Sequence, residues 1–486
     1  MIRYLLLFIL SICCFFACDD ELATGITSQP RLSADTLHIG TVLAGNSSRT
    51  YQLKLYNPCS EELRLTSISL RSGGESGFRM NVDGMNGTEF TNADLLRISS
   101  GDSLFLFVEA TFQPTGEGCV MHTDFIDILC NTRTQTVVLQ AESKDVLRLE
   151  GYTVTGCERW DSGQEVQIFD SLVIAPDAEL FLADSVTVYL HDQSDIIVYG
   201  TLVCEGRLGA PVTIRGDRTD LMFPNLAYDE LPSQWGTLHI TDKAHGCKFM
   251  HTDIRGMSEG IVIDSTDVMF SDCRIRHSDG NLLTCRMSSV GLSNTLLTGA
   301  AHSLLQIYGG WYDITHCTLA NYNYTTRIDQ EAVRMCNIDT AAAHYTPLHR
   351  CNFVNTVIWG ERFCPDVRPE YYRIVEGQDA LGNFVFADSI FSYRFEHCLL
   401  RADGTDDDDF ISTLWNKDPL YKVTDLPNYT FDFRLQPESP AIAAGAPLDS
   451  LGISLLFDLD GNQRNVSHPS IGCYEAVADA PSGNNP

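Results

Sequence analysis

A cysteine, or a threonine in its place, precedes an apolar residue by two positions at Cys247/Phe249, Cys273/Ile275, Thr295/Leu297, Cys317/Leu319, Cys351/Phe353 and Cys398/Leu400. From Phe249 the first three steps are 26, 22 and 22 residues. One turn of a three-faced β-solenoid needs about that many, because its short strands and bends must return the chain one sheet spacing higher. Inward residues then stack rung on rung, so Cys273, Cys317 and Cys398 are expected to fill the core; small thiols in such rows are packing rather than chemistry. The step from Leu319 to Phe353 is longer, and residues 323–345 are expected as a loop thrown out from one face.

Ahead of the repeat stand short apolar runs: Asp170 to Leu180, Val186 to Leu190, Ile196 to Gly206 and Pro211 to Gly216, then Trp235-Gly236-Thr237-Leu238. This pattern resembles the opening coils of bacterial right-handed parallel β-helix surface proteins. Behind the repeat come Asn355-Thr356-Val357-Ile358-Trp359-Gly360, Asp418-Pro419-Leu420-Tyr421, Ser439-Pro440-Ala441-Ile442, Asp458-Leu459-Asp460-Gly461 and Gly472-Cys473-Tyr474-Glu475. These are similar, in the same order, to the terminal module of that family, although Ala443 stands where the family usually has Asp. The resemblance spans roughly residues 150–475 and implies a pectate-lyase-like β-helix whose terminal module covers the open strand edges of the last coil.

The region before residue 145 reads differently. Thr50 to Tyr56, Leu63 to Leu70, Asp102 to Val108 and Thr136 to Ala141 alternate with period two between turn residues, as short strands of an antiparallel sandwich do. It resembles the immunoglobulin-like spacers of bacterial surface proteins in architecture only, since the Cys…Trp…Cys core is missing. Cys119 and Cys130 flank a possible hairpin and are candidates for a bridge. The expected fold is therefore all-β: an immunoglobulin-like β-sandwich over 31–145, a right-handed parallel β-helix over 146–405, a C-terminal capping module over 406–475 and a disordered tail over 476–486.

The N-terminus sets the compartment. Met1-Ile2-Arg3 is followed by about fifteen apolar residues, a signal-peptide length short of a bilayer span. Phe15-Phe16-Ala17-Cys18 resembles a bacterial lipobox, which implies removal of 1–17, lipidation of Cys18 and a tether over 18–30; secretion with cleavage after Ala17 is the alternative. Asp19-Asp20-Glu21 looks like an outward export signal, so the expected partner is outer-membrane lipid and the expected location the exterior face of a Gram-negative outer membrane. Fourteen thiols remain in that disulfide-permissive setting. With 33 basic against 64 acidic residues, a net charge of -31 excludes nucleic acid as a partner. Asp-Ser/Thr-aliphatic triplets at Thr36, Ser103, Ser171, Ser185, Ser265, Thr340, Ser389 and Ser450 look like bacterial O-glycosylation sequons; the competing reading is that they open turns.

Chemistry is sparse. Hydrolysis of glycosides takes two carboxylates facing across a groove, and the Asn-Thr-Asp, paired Asp and Gly-His-Gly of this fold's hydrolases are not found together. If the repeat cysteines face inward, the residues before them face outward: Asp272, His316, Arg350 and His397, with Arg274 and Arg401 beside them. Such a wall suits an acidic sugar; a solvated polar face is the plainer reading. Trp311, Tyr312, Tyr322, Tyr324 and Trp359 are candidate stacking platforms for sugar rings, or core. Asp406, Asp407, Asp408 and Asp409, and Asp458 with Asp460, are the calcium candidates, against a solvated loop and an Asx-bonded turn; no other cofactor is expected. The function expected is a cell-surface binder or adhesin for glycans or surface components, with a polysaccharide lyase or glycoside hydrolase, and an inert coat protein, as alternatives.

Lipidation is directly measurable. In a lipoprotein-processing host, Cys18→Ser should lose incorporation of labelled palmitate and partition into the aqueous phase on detergent extraction, whereas unchanged labelling would exclude a Cys18 anchor.

Overall fold

The computed structural model describes residues 28–476 apart from positions 93, 224–225, 324, 326–327, 329, 340–343, 362–365, 371–374, 379–383, 387–388 and 452–454. Cys18, Tyr324 and Thr340 lie outside the described residues. The chain divides into two compact units, Met1–Asp145 and Val146–Pro486.

In the first unit, period-two alternation becomes two five-stranded sheets. Leu104, Leu106, Val108 and Ala110 of strand Ser103–Ala110 meet Ile126 and Ile128 of Cys119–Cys130 and Val137 and Leu139 of Arg133–Lys144 in one core. The sheets are antiparallel except that Thr36–Leu43 runs parallel to Arg133–Lys144. Cys119 and Cys130 are corrected here: they are the two ends of one twelve-residue strand. At ~3.3 Å rise per residue they lie about 36 Å apart, far beyond the ~7 Å a disulfide tolerates.

The second unit is a parallel β-solenoid of 25 strands in one continuous hydrogen-bonded array. Three faces recur. One carries Arg274–Ser278, Leu296–Ala300, Thr318–Asn321, Val357–Gly360, Leu399–Leu400 and Leu414–Trp415, each parallel to the next. Its inward column is Ile254, Ile275, Leu297, Leu319, Ile358 and Leu400. A second column, on the preceding face, is Phe249, Phe270, Leu292, Ile314, Phe353, Phe395 and Phe410. Its rings stack at centroid spacings of 4.7 Å (Phe249–Phe270), 4.6 Å (Phe353–Phe395) and 5.0 Å (Phe395–Phe410), matching the ~4.8 Å between hydrogen-bonded strands. The backbone thus imposes the ring spacing.

These registers sort the cysteine repeat into two sets. Cys273, Thr295, Cys317 and Cys398 follow one corner, and the residue that continues them between Cys317 and Cys398 is Thr356. Cys247 and Cys351 belong instead to the column Cys247, Val268, Val290, Tyr312, Cys351 on the neighbouring face. All seven of these cysteine and threonine positions are buried. Burial pushes the Cys273 and Cys398 thiols up to about 12, which suits packing and not nucleophilic chemistry.

Two boundaries shift. The long step is not a single ejected loop over 323–345, since Val333–Cys336 is itself a rung between Leu305–Thr315 and Val367–Glu370. The solenoid also runs past residue 405, because Phe410–Ile411 and Leu414–Trp415 form its last rung.

Phe270 is fully buried between Phe249 and Leu292. Phe270→Ala should cost about 3–5 kcal/mol, read as a lowered urea midpoint of the full chain, and a midpoint unchanged would contradict the stacked column.

Candidate functional site

A solenoid must turn sharply three times per coil, and one turn is made here by a single left-handed residue. Asp272, Asn294, His316, Asn355 and His397 have φ of 57°, 51°, 52°, 51° and 49°. Asn, Asp and His tolerate this region better than other non-glycine residues. The backbone N–H of each donates to a carbonyl on the next coil, Asp272 to Ser293, Asn294 to Thr315, His316 to Val354, Asn355 to Glu396 and His397 to Ile411. Asn294 Nδ2 donates to Asp272 Oδ1 at 2.5 Å, and Asn355 Nδ2 to His316 Nε2 at 2.9 Å.

The C-terminal segment lies on this corner. Asn355 Nδ2 donates to the Ala446 carbonyl at 3.1 Å while Asn355 Oδ1 accepts from the Ala446 N–H at 2.7 Å. The His397 ring bonds the Ala444 carbonyl at 3.0 Å, and His316 Nδ1 approaches the Gly472 carbonyl at 3.4 Å. Arg464, fully buried, donates to Asn294 Oδ1 at 2.8 Å and to the Gly472 carbonyl at 3.1 Å. Beside the corner, outward-facing Leu296, Ala320, Val357 and Leu399 pack against Tyr421, Phe433, Leu459, Ile471 and Cys473. The segment is therefore a lateral cover across several coils, where the expectation was a lid over the last one.

The expected ligand wall is corrected accordingly. Asp272, His316 and His397 are corner residues bonded within the solenoid or under the cover, and His316 is completely buried. Arg350 is not in their row, since it precedes the Cys351 of the other column; it pairs with Asp313 through Nε–Oδ1 at 3.0 Å. Arg274 donates to Asp460 at 3.1 Å, which ties one wall residue to one calcium candidate. Asp458 Oδ1 accepts the N–H groups of Asp460 at 3.0 Å and Asn462 at 2.7 Å, and Oδ2 that of Glu475 at 2.8 Å, the bonding of an Asx turn. Asp406 accepts from Thr413 and Trp415, and Asp407 from the N–H groups of Asp409 and Phe410, so the acidic run, with Asp408 exposed, is the bend into the last rung.

The other expected positions scatter. Tyr312 is core, Trp311 stacks on His349 at 4.4 Å, and Trp359 lies beneath Arg401 at 5.5 Å. Ser185 and Ser265 are exposed at left-handed corners with φ of 61° and 50°, Thr36 and Ser103 open strands, Ser171 bonds Asp170, and Ser389 is half-buried. Ser450 falls in the short helix Leu448–Leu451.

Among the described residues, only Tyr322 of the expected platforms borders a cleft of about 490 Å³ between solenoid wall and cover. Tyr429, Phe431, Phe433, Arg434 and Tyr474 of the cover face Arg274, Arg276, His277 and Glu230 there. Below it, Arg255 and Arg276 are direct neighbours on consecutive coils. The single-turn helix Tyr228–Glu230, from a segment inserted after strand Val212–Gly216, lays carboxylates on them. Asp229 takes Arg255 at 2.6 Å and Arg215 at 3.0 Å; Asp253 takes Arg255 at 2.8 Å and Arg276 at 3.1 Å. Glu230 takes Arg276 at 2.7 Å and His277 at 2.9 Å. Burial alone would raise the Glu230 carboxyl, but Arg276, His277 and Arg255 together hold it well below the usual carboxylate range. A larger hollow of about 780 Å³ on the first unit carries only the Arg79–Glu109 pair as charge.

The sequence reading passed over Arg215, Arg255, Arg276, Asp229, Glu230 and Asp253. One signal was available: Arg255 and Arg276 are 21 residues apart, one coil.

No family model matches the chain, and no curated protein matches it. Similar solved structures include a protein of unknown function from Porphyromonas gingivalis W83, 18% identical, covering 25% of this chain and 48% of that one at a TM-score of 0.18. A pectin methylesterase in complex with a hexasaccharide is 11% identical and covers 59% of this chain and 86% of that one, at a TM-score of 0.19. Pectin methylesterase PemA from Erwinia chrysanthemi is 10% identical over 56% and 84%, also at 0.19. This chain thus spans about half of the first of these. At such identities and scores, neither activity nor ligand passes to this chain.

Asn355 fixes its own amide: Oδ1 accepts from Ala446, so Nδ2 must donate to His316 Nε2, which makes His316 a neutral acceptor. Burial, and next Arg464, lower its pKa well below 6.5. The unfolded chain therefore binds the proton more readily, and the stability held above pH 6.5 should fall as pH drops below it. His316→Asn, which keeps a residue suited to the corner, should flatten that part of the stability profile in urea titrations between pH 7 and 5; an unaltered slope would refute the assignment.

Proposed function

We propose that this chain is an outward-facing outer-membrane lipoprotein, anchored through Cys18, in which an immunoglobulin-like spacer precedes a right-handed β-helix that binds glycans without cleaving them. The reading rests on the cleft beneath the C-terminal cover. It sets the rings of Tyr322, Phe431, Phe433 and Tyr474 beside Arg274, Arg276 and Arg434 in about 490 Å³, a size suited to one or two sugar rings. Aromatic faces accept the apolar face of a pyranose, and guanidinium forks and carboxylates satisfy its hydroxyls.

Binding is favoured over turnover by the state of the acids. A glycosidase needs one carboxyl held protonated near neutrality to give its proton to the leaving oxygen. In the cleft the pull is the other way, since Glu230 is kept ionised by Arg276, His277 and Arg255. The one described carboxyl raised by burial, Glu475, is spent on Ser470, accepting from its N–H at 3.0 Å and its hydroxyl at 2.9 Å.

The test is a panel of neutral and acidic polysaccharides, followed for bound fraction and polymer length in the same samples. Retention without shortening is expected, and Phe431→Ala, assayed well below its own lowered melting temperature because the ring also packs on Tyr322 and Phe433, should weaken it about tenfold, the ~1.4 kcal/mol of one lost stacking contact. Shortened chains would replace the binder with an enzyme, and no retention at all would leave a coat protein.

A further inference from the structure

Three guanidinia and three carboxylates are balanced beside the cleft: Arg215, Arg255 and Arg276 against Asp229, Glu230 and Asp253. The three acids are not equivalent. Asp229 and Asp253 are 7% and 18% exposed, whereas Glu230 is 32% exposed and alone among them lines the cleft. Its Oε2 is received by Arg276 Nη1 and His277 Nε2 and its Oε1 lies 3.8 Å from Arg255 Nε, the cations a carboxylate-bearing ligand would find if Glu230 were absent. Removing the Glu230 charge leaves three buried or half-buried guanidinia facing two carboxylates, an uncompensated cation at the floor of a cleft walled by aromatic rings. Such a charge in a partly desolvated site demands an anion.

We propose that Glu230 is an internal occupant of a carboxylate subsite, and that the cleft selects glycans carrying uronic acid residues by exchanging the Glu230 carboxylate for the sugar's own. This rests on the glycan-binding reading and adds the ligand class and the residue that sets it. The exchange is one of ion pairs only: Arg276 and His277 pass from Glu230 to the uronate, and Glu230 turns its side chain to solvent. Because bound glycan first has to displace an internal carboxylate, a neutral sugar gains nothing at this subsite and depends on the rings alone. Glu230 is thus a specificity-setting residue that acts by competing with the ligand.

The experiment uses the full chain with two probes, an oligosaccharide of uronic acid residues and its carboxyl-reduced neutral counterpart, each titrated against wild type and Glu230→Gln. The expected result is about tenfold tighter binding of the acidic probe to Glu230→Gln with the neutral probe unchanged. A second readout on wild type alone removes dependence on the variant's folding. The Tyr228 N–H bonds the Asp220 carbonyl and the Leu231 N–H bonds that of Tyr228; both should exchange faster with the acidic probe bound than with the neutral one. If the neutral probe binds while the acidic one gains nothing in Glu230→Gln and leaves those amides unchanged, Glu230 is structural and the carboxylate subsite is overturned on its own. If neither probe binds either protein, the glycan-binding reading falls, and this inference with it.

Discussion

The backbone hydrogen bond from one left-handed corner residue to the next coil is the contact on which the rest of the second unit depends. At this corner a single left-handed residue turns the chain between two strands, so a misplaced bend shifts every side chain on the following strand to the opposite face. Asp272, Asn294, His316, Asn355 and His397 fix that bend at the same place on successive coils. With the corner fixed, Cys273, Thr295, Cys317, Thr356 and Cys398 turn inward, and the columns of Ile275 to Leu400 and Phe249 to Phe410 follow at strand spacing. The side chains of the corner then have a second use. They present polar groups at one corner of successive coils, and the Ala444 and Ala446 carbonyls of the cover find partners there.

Legibility in the sequence followed the same division. The period was visible, because a stacked column repeats its chemistry: Cys-x-Ile, Thr-x-Leu and Cys-x-Leu mark one corner on four coils. What misled was that two different columns use the same local signature. Cys247-x-Phe249 and Cys351-x-Phe353 look like Cys273-x-Ile275 but lie one face earlier, and only strand register separates them. The pair that would have exposed the error is Asn355-Thr356, which keeps the corner type while the cysteine is replaced. Arg350 entered the expected wall through that misassignment.

The burial of that wall was partly readable too. Leu296-Leu297, Val357-Ile358 and Leu399-Leu400 are apolar on both the inward and the outward face, which in a strand means cover on both sides. The C-terminal motifs were recognisable as a module, but nothing in their order states whether they lie across an end or along a side. That depends on matching an apolar stripe on the wall, Leu296 to Leu399, with one on the segment, Tyr421 to Cys473. The arginine cluster was hidden for a related reason, since two of the acids that neutralise it, Asp229 and Glu230, arrive on an inserted turn whose length breaks the coil period between Arg215 and Arg255.

The position of the cleft follows from a change of chemistry along one outward column. From Leu296 through Thr318 and Val357 to Leu399 the column is apolar or small, and the cover lies flat on it. One coil earlier the column changes to Arg274 and, before that, Asp253. A flat apolar cover over those groups would strand charges without partners. Instead the cover meets this part of the wall with charged groups of its own, Asp460 reaching Arg274 at 3.1 Å and Arg434 at 2.6 Å. The cavity opens at that boundary, with rings inherited from the apolar side and guanidinia from the charged side. A cleft that is at once aromatic and ionic is thus the outcome of ending a hydrophobic stripe on a stack of arginines, and it sits where both kinds of contact reach one ligand.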